Sequence, residues 1–325
     1  MSQMNQSRSC WHESATRTSI VSAPLPALEA GMVRVQALYS LISTGTERLV
    51  ARGQVPTEVT HQMQVPYMGG NFPFPIKYGY SLVGKITSEE HPYHNRLVHL
   101  LHPHQDVCQV ASQDIFLIPE EVSAKRAILA SNLETAVNAV WDSGVSIGDK
   151  VLVVGFGVIG SLVARVLSMI GGVEVVVQEL DLRRRNLAEQ LGFWTQIQGT
   201  ENVLMDCAFH TSSTAKGLQS AIDQVGFEGK VIELSWYGTQ SASLELGGTF
   251  HSQRKQLISS QVSQLPADRK GRWNYRRRKE VVFELLKSPI FDQHLTHEIP
   301  FDQLPEVFDQ IRLGTNKELS WVVRY

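Results

Sequence analysis

Cysteine is scarce: Cys10, Cys108 and Cys207 are the three in 325 residues. Three scattered thiols cannot build a disulfide framework or a Cys-x-x-Cys zinc site, and a reducing, cytoplasmic setting is the expectation. An excess of charge of one sign is also missing. Thirty Lys plus Arg against 32 Asp plus Glu leave a net charge of −2, so the whole chain offers no electrostatic attraction to nucleic acid or anionic lipid. Nor is there a long unbroken apolar run. The most apolar stretch, 151–177, is interrupted by glycines, by Arg165 and by Glu174, which reads as buried α/β core and not as a membrane span. The opening MSQMNQSRSC lacks the apolar region of a signal peptide. What is present is 42% hydrophobic against 19% charged residues, the composition of an ordinary globular protein with a sizeable core. The length corresponds to about two domains with a cleft between them.

Two textures divide the chain. Residues 30–120 carry short β-branched runs (Met32 to Ala37, Leu82 to Thr87, Leu97 to Leu101, Ile115 to Ile118) separated by Pro, Gly and Asn clusters, a mostly-β pattern with long loops. Beyond about residue 124 the pattern alternates. A helix is expected over Ala124 to Trp141, a strand over Lys150 to Val154, a helix over Ile159 to Ile170 and a strand over Val173 to Gln178. Helices over Leu182 to Leu191 and Ala215 to Val225, with strands over Val203 to Ala208, Lys230 to Ser235 and Gln256 to Val262, continue the series. Successive βα units predict a doubly wound parallel sheet covered by helices on both faces. After Leu265 the rhythm stops: a basic stretch Asp268 to Lys279, helical segments Glu280 to Lys287 and Gln303 to Leu313, and a last strand Leu319 to Arg324. These close back onto the N-terminal part in this reading, which makes one domain discontinuous.

The strongest chemical signal is the run from Val151 through Gly155-Phe156-Gly157-Val158-Ile159-Gly160, a G-x-G-x-x-G between a buried strand and a helix. Gly155 allows the tight turn, Gly157 lets backbone approach a pyrophosphate, and Gly160 lets helix and strand pack closely. The helix start then offers N–H groups and a favourable dipole to the anion. Glu179 ends the next strand, 19 residues beyond Gly160, where an acid hydrogen-bonds the ribose of NAD and repels a 2′-phosphate. NAD is therefore the expected cofactor, with Arg183, Arg184 and Arg185 as the feature that keeps NADP in view.

At this point the chain resembles the medium-chain dehydrogenase/reductase superfamily: a β-rich first part, strand-GFGVIG-helix in mid-chain, then a short return. In Ile42 to Arg48, Lys77 to Gly84, Asn132 to Ala139 and Glu233 to Gly238 it is similar to the branch that includes hydroxyethyl-bacteriochlorophyllide dehydrogenase and related dehydrogenases. The resemblance implies a GroES-like catalytic domain (1–126 and 269–325), a Rossmann domain (127–268) and a homodimer joined through an edge strand, here Gln256 to Val262. It also implies the places where zinc-dependent relatives hold their metal. There this sequence has Thr44, then Gly79-Tyr80-Ser81, then Ala130 or Ser131, none of them a thiolate or imidazole ligand. A zinc-free member is the expectation. His91, His94, His99, His102 and His104 crowd within 14 residues, yet a strand over Leu97 to Leu101 and the following Pro103 set their side chains apart.

Without a Lewis acid, the substrate oxygen needs a hydrogen-bond donor or general acid. The candidates at the corresponding positions are Thr44, Thr46 and Tyr80, with His104 and Glu134 as neighbours; Tyr80 or His104 is the expected proton carrier and Thr46 a relay. The expected reaction interconverts a secondary alcohol and a ketone of a small-molecule substrate by hydride transfer. Reduction of an activated C=C bond and a non-catalytic dinucleotide sensor are the alternatives. The basic stretch from Arg269 to Lys279 carries seven positive charges around Trp273 and Tyr275; in a net acidic chain it is read as a solvated loop and first helical turn, not a nucleic-acid site.

Overall fold

A computed structural model describes residues 6–197 and 204–325. The start of the expected strand at Val203 lies outside them. The chain forms two compact units, residues 1–131 with 283–325 and residues 132–282.

The first unit is β-rich. The strand Met32–Ile42 alternates, with Val33, Val35 and Ala37 turned inward, and these pack with Leu82, Ile86, Val98, Leu100, Cys108 and Val110. Period-two alternation with one buried face is what an antiparallel sheet requires. Leu82–Ile86 and Leu97–Leu100 extend this sheet antiparallel on one side of Met32–Ile42, and Trp321–Arg324 pairs with Tyr39 to Ile42 on the other. The helix Leu304–Leu313 sets Val307, Phe308 and Ile311 against Ile42, Trp321 and Val323, so the C-terminal segment completes the N-terminal core.

A second sheet, built on the hairpin Gln6–Ser14 and Arg17–Pro24, has no counterpart in the sequence reading. The inward positions Ser7, Ser9, His12 and Thr18 are polar and buried, so no hydrophobic alternation announced it. Within it, His12 Nδ1 lies 2.8 Å from the Thr18 hydroxyl.

The second unit contains a six-stranded parallel sheet in the order Trp194–Gln196, Glu174–Gln178, Lys150–Val154, Met205–His210, Val225–Glu233, Gln256–Ser259. Its middle strands are nearly continuous apolar runs because helices cover both faces. Leu218, Ala221 and Ile222 of the helix Ala215–Gln224 pack on Leu152, Val154, Ala208 and Val231. Strand order reverses between Lys150–Val154 and Met205–His210, and a doubly wound sheet binds its ligand at the carboxyl ends beside such a reversal.

Three element bounds differ from expectation for visible reasons. The helix over Ala124 to Trp141 is two, Ala124–Ala127 and Ala130–Ser143, because Leu129 N–H bonds Arg126 C=O in a tighter turn. The edge strand stops at Ser259, where Ser260 N–H takes Glu233 C=O and the chain turns at Gln261. The helix expected from Glu280 begins at Tyr275, since the Asn274 side chain accepts Arg277 N–H at 2.8 Å. Among the described residues no helix is long and apolar enough to cross a membrane.

Candidate functional site

In the second unit the strand Lys150–Val154 delivers the chain into the glycine turn. Gly155 has φ +97°, a left-handed conformation that strains any L side chain, and a Cβ there would lie 2.9 Å from Ser212 N. At Gly160 a Cβ would meet Gly155 O at 2.0 Å and Thr211 Oγ1 at 2.6 Å, so helix and strand approach only with glycine in place. Gly157 is different: a Cβ there meets nothing within 4 Å, so packing inside the protein does not demand its lack of a side chain. It is the N-cap of the helix Val158–Ser168, in which Val158 is buried and Ile159 partly exposed. The first N–H groups of that helix have no intrahelical acceptor and suit an anion.

Glu179 sits directly under the turn. Its Oε2 accepts Phe156 N–H at 2.7 Å and its Oε1 accepts Asp181 N–H at 2.8 Å, while the Phe156 ring is buried against Phe193. Each carboxylate oxygen keeps a second lone pair, so the group is held in place and still able to accept ribose hydroxyls. Of the three arginines that follow, Arg183 pairs with Asp181 at 3.8 Å and Arg185 donates to Glu179 C=O at 3.0 Å.

In the first unit the short helix Thr44–Ala51 carries Thr44, Thr46 and Glu47. Glu47 is fully buried and reaches back over the first turn, its Oε1 accepting Ser43 N–H at 2.7 Å. Its Oε2 lies 2.9 Å from His104 Nε2, His104 Nδ1 lies 2.7 Å from Ser40 Oγ, and Ser40 Oγ lies 2.9 Å from the Tyr325 hydroxyl. Glu47, His104, Ser40 and Tyr325 thus form one hydrogen-bonded chain of side chains. Gly79, with φ +132°, passes beside this imidazole, where a Cβ would lie 3.2 Å from His104 Cδ2.

Tyr80 follows, half-buried, its phenol hydrogen-bonded with the hydroxyls of Ser43 and Thr46. Burial first, and then the negative charge of Glu47, push its pKa up to about 12, so it holds its proton at neutral pH. The Thr44 hydroxyl is buried and finds no hydrogen-bond partner among the described residues.

Glu134, on the helix Ala130–Ser143, is enclosed in the second unit. It pairs with Arg278 Nε at 3.2 Å and with the Lys279 ammonium. Arg278 Nη1 also donates to Asn138 Oδ1 at 2.8 Å and Val262 C=O at 2.7 Å. Burial pushes the Lys279 pKa down, opposed by the Glu134 charge. The basic stretch is thus not solvated throughout: its last two cations are buried. Sequence reasoning also missed Ser40, Tyr325, His210 and Glu233, the last two a cross-strand pair at the carboxyl end of the parallel sheet. The available signal was a charged or imidazole residue ending an otherwise apolar strand.

The donor set does not suit zinc. Thr44, Tyr80 and Ser131 present neutral hydroxyls where a zinc site takes thiolate, imidazole or carboxylate, and Ser131 Oγ already donates to Tyr80 C=O at 2.7 Å. Nor do the five clustered histidines converge. His91 accepts Tyr93 N–H, His94 faces Ser88 C=O, His99 faces Ser131, His102 faces Pro103 C=O and His104 faces Glu47. Among the described residues no group of three His, Cys, Asp or Glu side chains is arranged to hold a metal.

No family model matches the chain. By sequence it is 25% identical over 188 residues to D-guloside 3-dehydrogenase of Escherichia coli (strain K12), covering 53% of this chain and 52% of that protein. It is 27% identical over 205 residues to (R,R)-butanediol dehydrogenase of Bacillus subtilis (strain 168), covering 59% and 55%. The match thus spans about half the length of these curated relatives. By fold it is similar to an alcohol dehydrogenase of E. coli CFT073 complexed with NADH (TM-score 0.76, 15% identity, 99% of this chain and 100% of the other). It is likewise similar to a zinc-binding dehydrogenase of Sinorhizobium meliloti 1021 bound to NADP (TM-score 0.77, 16% identity, 99% and 100%). The two-unit α/β architecture, a helix-covered parallel sheet beside antiparallel sheets, is the fold of these dehydrogenases, and the sequence matches are to alcohol and polyol dehydrogenases.

Proposed function

We propose that this protein is a nicotinamide-dinucleotide-dependent oxidoreductase that interconverts a secondary alcohol and a ketone of a small-molecule substrate without zinc. The observation that carries it is the glycine turn with Glu179 docked beneath it: Gly155 and Gly160 are required by packing inside the protein, whereas Gly157 is not. In a turn between a parallel strand and its helix, with an acid ending the next strand, a glycine that packing does not demand fits backbone approach to a pyrophosphate. Dinucleotide-bound structures of the same fold support this reading. Gly155 to Gly160 hold the phosphates and Glu179 the adenosine ribose, which favours NAD.

When bound, the nicotinamide supplies or accepts the hydride. The chain's own work is to position the substrate and handle its proton. Tyr80, largely buried and protonated at neutral pH, donates to the substrate oxygen, and Thr46 passes the proton between that phenol and its surroundings. His104, with both ring nitrogens engaged and its side chain 1% exposed, holds Glu47 in place. Thr44 supplies a buried hydroxyl beside them. Vicinal diols, polyols and sugar glycosides are the first classes to try, since curated relatives are named for butanediol, sorbitol and D-guloside. The edge strand Gln256–Ser259 supports pairing of two copies, and light scattering of the pure protein measures this.

The test is a titration of EDTA-treated protein with NADH and NADPH, read from its six tryptophans, followed by turnover of 2,3-butanediol and sorbitol with NAD. Binding and turnover that survive metal removal, with turnover falling about 100-fold in Tyr80→Phe, support the proposal. Failure to bind either nucleotide, or activity that returns only with added zinc, would overturn it.

A further inference from the structure

Ser40, Glu47 and His104 sit inside the first unit with no more than 1% of their surface exposed. The strand that carries Ser40 is otherwise buried through apolar Val33, Val35, Ala37, Leu41 and Ile42. A buried carboxylate and imidazole contribute little net stability against an apolar replacement, and such groups concentrate where function needs them. Tyr325, just beyond the strand Trp321–Arg324, closes the series. Its N–H bonds Leu38 C=O at 3.1 Å, its ring stacks on Phe301 with centroids 4.7 Å apart, and its hydroxyl meets Ser40 Oγ at 2.9 Å.

The other end of the chain reaches Tyr80 by two routes. Glu47 Oε1 accepts Ser43 N–H at 2.7 Å, and the Ser43 hydroxyl is one of the two that hold the Tyr80 phenol. His104 reaches Tyr80 through the backbone: at Gly79, immediately before it, a Cβ would lie 3.2 Å from His104 Cδ2 and 3.3 Å from Nε2. His104 is also clamped by Cys10, whose N–H bonds its C=O at 3.0 Å. Other ionisable groups face these residues: Tyr78 faces Tyr80 and Glu47, Cys10 faces Glu47, and His12 and His102 face His104. Burial holds all four uncharged, raising the pKa of Cys10 and Tyr78 and lowering that of both imidazoles. Glu47 supplies the negative charge that acts on the Tyr80 phenol.

We propose that Ser40 and Tyr325 are positioning residues for the candidate reaction: through His104 and Glu47 they hold Gly79 and Ser43, and so set where the Tyr80 hydroxyl points its proton. Ser40 engages His104 Nδ1 and keeps the ring from turning, and the Tyr325 hydroxyl fixes the Ser40 rotamer. An imidazole free to turn would leave Glu47 Oε2 without its partner, and a buried, unpaired carboxylate takes up a proton. The charge that keeps Tyr80 protonated would then be gone. This inference rests on the reading of Tyr80 as the proton donor.

The experiment compares wild-type protein with Ser40→Ala and with Tyr325→Phe, which keeps a ring on Phe301 and removes the hydroxyl. Each is made with and without Tyr80→Phe, so that subtracting the two tyrosinate absorbance titrations isolates Tyr80. Tyr80 should ionise near pH 12 in the wild type and about one pH unit lower in both variants, one hydrogen bond's worth. In NADH-linked reduction of acetoin, the ketone of 2,3-butanediol, kcat should fall about tenfold with KM and NADH affinity unchanged. The titration needs no substrate, so it decides the matter where acetoin is not turned over. Tyr325→Phe keeps the test open if Ser40→Ala fails to fold. An unshifted Tyr80 titration, or a loss of turnover matched by an equal loss of NADH affinity, would overturn the inference while leaving the proposed reaction in place. A Tyr80→Phe protein as active as wild type would overturn the role of Tyr80 and this inference with it.

Discussion

Glu179 accepts the backbone N–H of Phe156 at 2.7 Å, inside the very turn it is placed to assist. One carboxylate therefore shapes the glycine turn and, under the proposed function, takes the ribose. Glu179→Ala should weaken NADH binding by about tenfold or more, and it should also cost about 1–3 kcal/mol of stability, because Phe156 N–H is left buried without an acceptor. Glu179→Gln keeps an acceptor oxygen, so stability should stay within about 1 kcal/mol of wild type while discrimination against NADPH relaxes. Urea unfolding and tryptophan titration measure the two quantities separately. A Glu179→Ala protein as stable as wild type would show that the hydrogen bond to Phe156 carries no weight.

The glycines of the turn divide by what surrounds them. Gly157→Ala adds a methyl group into open space, so unfolding should shift by less than about 1 kcal/mol, yet affinity for NADH should fall sharply as the methyl meets the pyrophosphate. Gly160→Ala drives a methyl into Gly155 O; it should destabilise the fold by several kcal/mol, on the order of the larger core substitutions. Thermal unfolding with and without NADH separates the two. If Gly157→Ala bound NADH as well as wild type, the phosphate site would have to lie elsewhere.

The parallel sheet was legible because its strands are apolar throughout and its helices periodic: Lys150–Val154 and Leu182–Gln190 fall within a residue of their expected bounds. The glycine turn was legible because the three glycines keep a fixed spacing between a buried strand and a helix, two of them answering steric demands of the fold. What escaped was written in polar residues. The hairpin Gln6–Ser14 with Arg17–Pro24 buries Ser7, Ser9, His12 and Thr18, and no hydropathy pattern distinguishes a buried serine from an exposed one. The chain from Glu47 to Tyr325 joins residues that only the closure of the sheet by Trp321–Arg324 brings together. His210 and Glu233 meet through strand register, which a single sequence does not state.

Glu134 pairs with both the buried Arg278 and the buried Lys279. Removing its charge leaves two buried cations facing each other, and breaking a buried pair in this way costs about 3–5 kcal/mol. Glu134→Leu should therefore unfold at markedly lower urea concentration. Adding Lys279→Met to Glu134→Leu should recover part of the loss, because it removes one of the two buried like charges. A double variant no more stable than Glu134→Leu alone would show that Lys279 does not depend on Glu134.

Two imidazoles of the first unit are held neutral by burial. Desolvation first, then the positive charge of Arg312, push His12 down to about 3; desolvation first, then Lys77, does the same for His102. In the unfolded chain both titrate near 6.5, so between about pH 6.5 and pH 3 the unfolded state binds more protons. Stability from these groups is fully present above pH 6.5 and falls as the pH drops through that value, by up to about 1.4 kcal/mol per pH unit for each histidine. His102 stacks on Tyr67, with ring centroids 5.3 Å apart, so His102→Phe keeps a ring in place while removing the titration. Urea unfolding at pH 7.5, 6 and 5 should show the wild-type stability declining with acid and His102→Phe declining about 1.4 kcal/mol per pH unit less steeply. An unchanged slope in that variant would mean that His102 takes up its proton without unfolding.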